Sequence, residues 1–372
     1  MLDSAMQFLC EADRLKSVTR ANVLMDLSRP ENSAEHSWHV ALQAMVMGAS
    51  DRAIAMILLH DLVEIDVGDQ PIHLGHDRDA LQRAEAAAAR RIFGLAPQSE
   101  ALIALWHEFE AGQSPDAAMA KRMDHTQPVL QVLMADDPLP DHVRIVRDNL
   151  TTGRAARLSS EWPAFMQAAL GLMDGVALPD DDLSRRMRFL AEADRLKSVI
   201  RASLLIDNSR RENSAEHSWH LALYALILAG QAPLGVNVGR VIRMLLIHDL
   251  VEIDVGDVPL HSAGGQAHGA AEVKQAEAAA ARRIFGLLPD RQSRELLDLW
   301  TEFEDAATPD AIFAKALDRC QPAVQNVMGG GVGWAEYSVT RQQVTERVGR
   351  QVERGAPALW GWLDARLARF FA

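Results

Sequence analysis

Residues 56–69 read MILLHDLVEIDVGD. The dense apolar run predicts a buried helix over 54–67, closed by Gly68 as a residue suited to a helix C-terminus. Inside it stand His60 and Asp61, a pair that is costly to bury without a partner. Glu64 lies four residues after His60 and three after Asp61, so all three side chains share one helical face. Asp69 follows directly after the glycine break.

The flanking chain is dominated by Ala, Leu, Arg and Glu, which are strong helix formers. Asn32 or Ser33 is placed to cap a helix beginning at Ala34, Glu35 and His36. From there Trp38, Ala41, Leu42, Met45 and Val46 recur at three- and four-residue spacing, an apolar helical stripe. Residues 78–93 form an alanine-rich helix ended by Gly94, and 97–110 and 117–133 form two more. Pro128 is expected to kink or interrupt the last of these. No stretch alternates with a two-residue period over a strand's length. The fold class is therefore all-α.

The chain also repeats itself. FLCEADRLKSV (8–18) returns as FLAEADRLKSV (189–199), and ENSAEHSWH (31–39) returns unchanged at 212–220. HDLVEIDVGD (60–69) returns at 248–257, and AEAAAARRIFGL (84–95) at 276–287. The offset grows from 181 to 188 to 192, which places small insertions between the blocks, at 231–237 and 262–269. A period near 185 residues, about the size of a whole domain, is too long for a solenoid unit. It predicts two domains, 1–178 and 179–372, joined through the Pro- and Asp-rich stretch GVALPDDDLS at 175–184.

Length agrees, since 372 residues exceeds the ~150 of one average domain. The chain is 48% hydrophobic and 24% charged, values typical of a globular protein. A formal charge of −13 argues against a nucleic acid polymer or an anionic membrane as partner. Cys10 matches Ala191 and Cys320 matches Thr126, so neither cysteine is shared by the copies. Two cysteines do not make a disulfide scaffold. With no basic-then-apolar leader and no run of 18 uncharged apolar residues, the expected location is cytoplasmic.

His36 begins one helix, His60 and Asp61 lie in another, and Asp124 (AKRMDHTQP) sits late in the first repeat. Two imidazoles and two carboxylates meeting in a helical bundle would offset each other's burial around one divalent cation. The second repeat supplies His217, His248, Asp249 and Asp318, with Glu252 and Asp257 beside them. A His-Asp dipeptide alone is weak evidence, because a lone helical His is more often a satisfied core or surface residue. The complete set, present twice, favours metal. Such mixed nitrogen and oxygen donors suit Mn, Co, Fe, Ni or Zn better than Ca, and Mg remains open.

These motifs in combination resemble the HD-domain metal-dependent phosphohydrolases, in particular the branch of 5′-deoxynucleotidases, and the resemblance covers nearly all of each half. It implies one divalent metal per domain, held by His36, His60, Asp61 and Asp124, and by His217, His248, Asp249 and Asp318. It assigns acid–base and water-positioning roles to Glu64, Asp69, Glu252 and Asp257. Arg20 and Arg201 match the arginine that contacts phosphate in that family. The nucleotidases usually carry a Trp shortly after this arginine; here Ala21, Asn22 and Val23, or Ala202, Ser203 and Leu204, stand instead, which leaves the sugar specificity open. Single-domain members resemble homodimers, so the duplication implies two helical bundles packed as an intramolecular pseudo-dimer, as a monomer or a homodimer of chains. The expected substrate is a small phosphorylated compound, a nucleoside monophosphate first. Another phosphoester or signalling nucleotide, and a non-catalytic metal- or nucleotide-binding module, are the alternatives.

Weaker signals surround this set. His39 and His220 are read as polar face residues, with a supporting role behind the ligands as the alternative. His73 and His261 follow the catalytic tail and could approach the pocket. Lys121 and Lys315 precede the late Asp by three residues, the spacing of a helical ion pair. Arg90, Arg91, Arg282 and Arg283 suit a solvated face, and Trp106 and Trp300 a core or interface position.

Overall fold

The computed structural model describes residues 1–70, 77–258 and 271–372; His73, His261 and the insertion at 262–269 lie outside them. The first repeat opens with α1 (Leu2–Ala12), a short antiparallel pair β1 (Thr19–Val23) and β2 (Pro30–Asn32), then α2 (Ser33–Val46) and α3 (Asp51–Leu59). It continues through α4 (Glu64–Val67), α5 (Arg78–Phe93), α6 (Ser99–Ala111), α7 (Pro115–Leu133), α8 (Pro140–Thr151), α9 (Leu158–Glu161) and α10 (Pro163–Met173). The second repeat runs α11 (Asp182–Asp194), β3 (Ile200–Leu204), β4 (Arg211–Asn213), α12 (Ser214–Ile227), α13 (Val238–Ile247) and α14 (Glu252–Val255). It closes with α15 (Ala271–Phe285), α16 (Asp290–Asp305), α17 (Pro309–Met328), α18 (Val332–Glu336), α19 (Arg341–Val344), α20 (Arg350–Gly355) and α21 (Pro357–Phe370). The fold is all-α, and no described helix is long and apolar enough to cross a membrane.

Three local expectations are corrected, and a choice left open between two helix caps is settled. The paired strands β1–β2 and β3–β4 went unread because five- and three-residue strands, partly exposed, are too short to display an alternation. The helix expected over 54–67 breaks: α3 ends at Leu59, His60–Val63 form a 3₁₀ turn, and only then does α4 begin. Tightening of this kind within an apolar run re-aims side chains, and here it falls on the His-Asp pair. Gly68 ends α4 with a positive φ of 73°, a conformation that costs glycine little. Pro128, by contrast, does not interrupt α7; lacking an N–H, it simply cannot donate to the carbonyl of Asp124 one turn earlier. Finally, the helix cap is Asn32, whose side chain accepts from the Ala34 and Glu35 amides while Glu35 accepts from the Asn32 amide at 2.7 Å. Such a reciprocal cap satisfies amides that the first turn leaves without partners.

Every residue of α2 is buried, far beyond the stripe that the sequence suggested. A helix enclosed on all sides needs neighbours on all sides; α3 and α7 of its own repeat and α12, α11 and α13 of the other supply them. Contacts from one repeat to the other are returned in kind. Trp38 Nε1 donates to the Leu246 carbonyl at 3.0 Å, and Trp219 Nε1 to the Leu58 carbonyl at 3.3 Å. Asn32 Nδ2 donates to Glu216 at 2.9 Å, and Asn213 Nδ2 to Glu35 at 2.7 Å, so the two N-caps interlock.

His39 and His220 are not face residues. Both are fully buried, donating from Nε2 to the carbonyls of Leu190 and Leu9 across the contact at 3.0 and 2.9 Å. Since a carbonyl only accepts, Nδ1 is left as the acceptor. Burial, joined by Lys16, holds the His220 pKa down at about 3; burial and Lys197 lower that of His39. Both imidazoles are thus neutral when folded but protonate near pH ~6.5 when unfolded. Their contribution is complete above that pH and is lost as pH falls below it, by roughly 1.4 kcal/mol per pH unit for each. Urea unfolding at pH 7.0, 6.0 and 5.0 should show this decline, and His220→Gln should remove about half of it.

Trp106 and Trp300 are buried within their own repeats. Arg90, Arg91, Arg282 and Arg283 are exposed as expected, and Arg91 also pins α5 to Asp66 and Glu11. Lys121 and Lys315 do not pair with the late aspartates. They reach α6 and α16 instead, at Glu110 (3.6 Å) and Glu304 (2.8 Å), lying over Phe109 and Phe303.

Candidate metal centre

Three elements deliver the first centre. The N-terminal turn of α2 brings His36, the 3₁₀ turn brings His60 and Asp61, and the middle of α7 brings Asp124. His36 Nε2 lies 3.3 Å from Asp124 Oδ1 and 4.0 Å from Asp61 Oδ2. His60 Nε2 lies 3.1 Å from Asp61 Oδ1 and 3.5 Å from Asp124 Oδ1. Ligating atoms of His36, His60 and Asp61 all fall within 4.8 Å of one another, as do those of His217, His248 and Asp249. Asp318 Oδ1 completes the second set at 3.4 Å from His217 Nε2 and 3.9 Å from His248 Nε2.

The tautomers follow from the partners. His60 Nδ1 meets the Ile57 carbonyl at 2.6 Å, and His248 Nδ1 the Leu245 carbonyl at 2.8 Å. An acceptor there requires the proton on Nδ1, which turns the Nε2 lone pair toward carboxylate oxygens. Both Nε2 atoms are buried without a hydrogen-bond partner. A lone pair facing carboxylates in a dry site is repulsive unless positive charge lies between them. The residues present therefore fit a divalent cation.

Charge counting gives the same answer. Arg20 Nη1 is the guanidinium contact at the first centre, 2.9 Å from Asp61, 3.4 Å from Glu64 and 3.5 Å from Asp69. Three carboxylates thus share one arginine, and a fourth, Asp124, faces the two imidazoles. Arg201 repeats the arrangement with Asp249, Glu252 and Asp257 at 2.6, 3.5 and 3.8 Å. Burial alone would lower the His60 pKa, yet Asp61 and Asp124 carry it up to about 9. In the second repeat His217 takes that part: Glu212 and Asp318 outweigh burial and raise it to about 9, while burial prevails at His248 and lowers it. In the first centre the His36 pKa is raised too: burial and Arg20 would lower it, but Glu31 and Asp124 outweigh them. The His36 and His60 contacts, in turn, overcome burial and hold Asp124 well below the usual carboxylate range.

Glu64 is a different kind of carboxylate. Burial first, then the Asp61 charge, push its pKa up to about 8 against the pull of Arg20, and Glu252 is raised likewise. A carboxyl titrating near neutrality can move a proton at working pH. The Ser33 and Ser214 hydroxyls donate to Glu64 and Glu252, so Ser33 orients this group instead of capping α2. The sequence offered Ser33 only as a helix cap and did not single out Ser214.

Nor were the groups behind the imidazoles. Glu31 Oε2 lies 3.2 Å from His36 Nδ1, and its other oxygen receives Lys197 Nζ of the second repeat at 2.6 Å. Burial would raise the Glu31 pKa, but Lys197 and His36 drive it below the ordinary range. Glu212, 3.3 Å from His217 Nδ1, receives Lys16 of the first repeat at 2.6 Å. Glu31, Lys16 and their copies sit inside the blocks ENSAEHSWH and ADRLKS, so their identity in both repeats was the available signal.

The openings differ. Beside the first centre the pocket is walled by Asn22, Val132, His142 and Asn149; beside the second by Ser203, Asn326, Trp334 and Tyr337.

A helical bundle in which His, His-Asp and a late Asp converge defines a histidine–aspartate metal-site protein. The HD-domain family matches residues 12–166 and 193–360. The chain belongs to that family, with two copies of the domain in tandem. It is 31% identical over 141 residues to the 5′-deoxynucleotidase HDDC2 of Homo sapiens, an alignment covering 37% of this chain and 65% of that protein. It is 25% identical over 138 residues to the 5′-deoxynucleotidase hdd1 of Schizosaccharomyces pombe, covering 37% and 68%. A crystal structure described as a predicted metal-dependent phosphohydrolase, from Magnetospirillum magnetotacticum, shares 43% identity, covering 51% of this chain and 95% of that one, with a TM-score of 0.47.

Proposed function

We propose that the chain is a metal-dependent phosphohydrolase acting on nucleoside monophosphates, 5′-deoxynucleotidase-like, with one working centre in each of two domains, 1–178 and 179–372, packed as an intramolecular pseudo-dimer. The observation that carries this reading is the double occurrence of His36, His60, Asp61 and Asp124 with Glu64, Asp69 and Arg20 on their open side. The names of the relatives support the same chemistry.

His36, His60, Asp61 and Asp124 would hold the ion in the first domain, and His217, His248, Asp249 and Asp318 in the second. A divalent cation supplies Lewis acidity at a phosphoryl oxygen and makes nearby water more acidic. Arg20 is placed to exchange a carboxylate contact for the phosphate oxygens, with the fork geometry that lysine lacks. Glu64, held by Ser33, takes the proton of the attacking water, and Asp69 orients that water. The water oxygen bonds to phosphorus, the ester P–O bond breaks, and the proton ends on the released hydroxyl. Arg201, Glu252 and Asp257 act alike in the second domain.

The test is phosphate release from a panel of ribo- and deoxyribonucleoside monophosphates, with the chain loaded with Mn, Co, Fe, Ni, Zn or Mg. Metal-dependent release is the expected result. Metal bound with no release from any nucleotide would move the reading to another phosphoester or to a binding module.

A further inference from the structure

We infer that each repeat's metal centre is positioned by a lysine of the other repeat: Lys197 acts through Glu31 on His36, and Lys16 acts through Glu212 on His217. The inference rests on the reading of the two centres as metal sites.

The path is continuous and dry. Lys197 Nζ, the Glu31 carboxylate and the His36 ring are fully buried. Lys197 is itself held by Asp194, His39 Nδ1 at 3.3 Å and Gln131 Oε1 at 3.4 Å. The second oxygen of Asp194 accepts the Met25 amide at 2.9 Å, back in the first repeat. The mirror path starts at His217, whose Nδ1 meets Gln321 Oε1 at 3.1 Å and lies 3.3 Å from Glu212, which also accepts from Gln321 Nε2 at 3.1 Å. From Glu212 it runs on to Lys16, held by Asp13, His220 Nδ1 at 2.9 Å and, through Asp13, the Ile206 amide at 2.9 Å.

The chemistry of this placement is specific. A carboxylate accepting from the far nitrogen of a ligand histidine fixes its tautomer and ring angle and raises the basicity of the near nitrogen. Lys197 holds one oxygen of Glu31 at 2.6 Å and so fixes where the other meets His36 Nδ1, at 3.2 Å. Asp13, Glu212 and His220 also lie close enough together to suggest a third ion site, but Lys16 Nζ already stands among them and meets their charge.

The experiment uses the full-length chain loaded with Mn²⁺ and dialysed against chelators of graded strength, with retained Mn²⁺ counted. Asp249→Ala leaves the first centre to be read alone, and Asp61→Ala the second. On the Asp249→Ala chain, Lys197→Met should weaken Mn²⁺ retention by about 10–100-fold; on the Asp61→Ala chain it should leave retention unchanged. Lys16→Met should give the opposite pattern. A general packing defect would weaken both centres, and a local one the lysine's own repeat; either result overturns the inference. Should Lys197→Met fold poorly, Glu31→Gln compared with Glu31→Gln/Lys197→Met decides: no further loss supports action through Glu31, and additive losses overturn it. If neither single-centre chain retains Mn²⁺ before any lysine is changed, it is the metal reading that fails.

Discussion

With Asp61→Ala and Asp249→Ala combined, phosphate release is expected to fall to background and bound metal from about two equivalents to none. Either change alone should halve turnover at saturating substrate and leave about one equivalent. Asp61 carries such weight because one oxygen faces His60 Nε2 at 3.1 Å while the other meets Arg20 at 2.9 Å. Alanine removes a ligand and also releases the arginine, so metal affinity at that centre should drop by more than ~100-fold, beyond the loss of an outer partner. Metal analysis of the purified variants, beside far-ultraviolet circular dichroism to verify folding, checks this. A single variant that lost all activity would contradict two independent centres.

The Glu64→Gln/Glu252→Gln double variant should separate proton handling from metal binding. Glutamine keeps an oxygen for the Ser33 hydroxyl and matches the shape of the site, but it cannot take a proton. We expect kcat to fall by ~10²–10⁴-fold, the usual span for a lost acid–base group, with metal content unchanged. Loss of metal in step with activity would mean that Glu64 is a ligand.

Much of the centre was legible because its pieces are local. His60, Asp61, Glu64 and Asp69 fall within ten residues, and helical spacing alone puts the first three on one side. Asp124 is 63 residues beyond Asp61; its recurrence as Asp318, rather than periodicity, made it a candidate, and the family resemblance gave it the role of ligand. The 3₁₀ turn at His60–Val63 was hidden because its residues are as apolar as those of the helix before it, and a hydrophobic pattern does not distinguish i+3 from i+4 closure. Pro128 was misread for a related reason: the cost of a helical proline depends on whether the bypassed carbonyl, here that of Asp124, can do without its bond. The buried lysines were least legible. A lysine in ADRLKS looks like an ordinary surface charge, and nothing local announces that Glu31 waits 166 residues before Lys197. Likewise, His39 looked like a face residue because two of its partners, Leu190 and Lys197, belong to the other repeat.

The crossed lysines and interlocked N-caps also set the order in which the molecule can be finished. A ribosome adding roughly 5–20 residues per second needs some ~10–40 s to pass from the end of the first repeat to the end of the chain. For much of that time Trp38 lacks the Leu246 carbonyl, and the buried face of α2 has no α12 to cover it. Until then the first half carries a helix without part of its cover and a Glu31 without its lysine. Fusion replaces a search between two molecules with a wait along one.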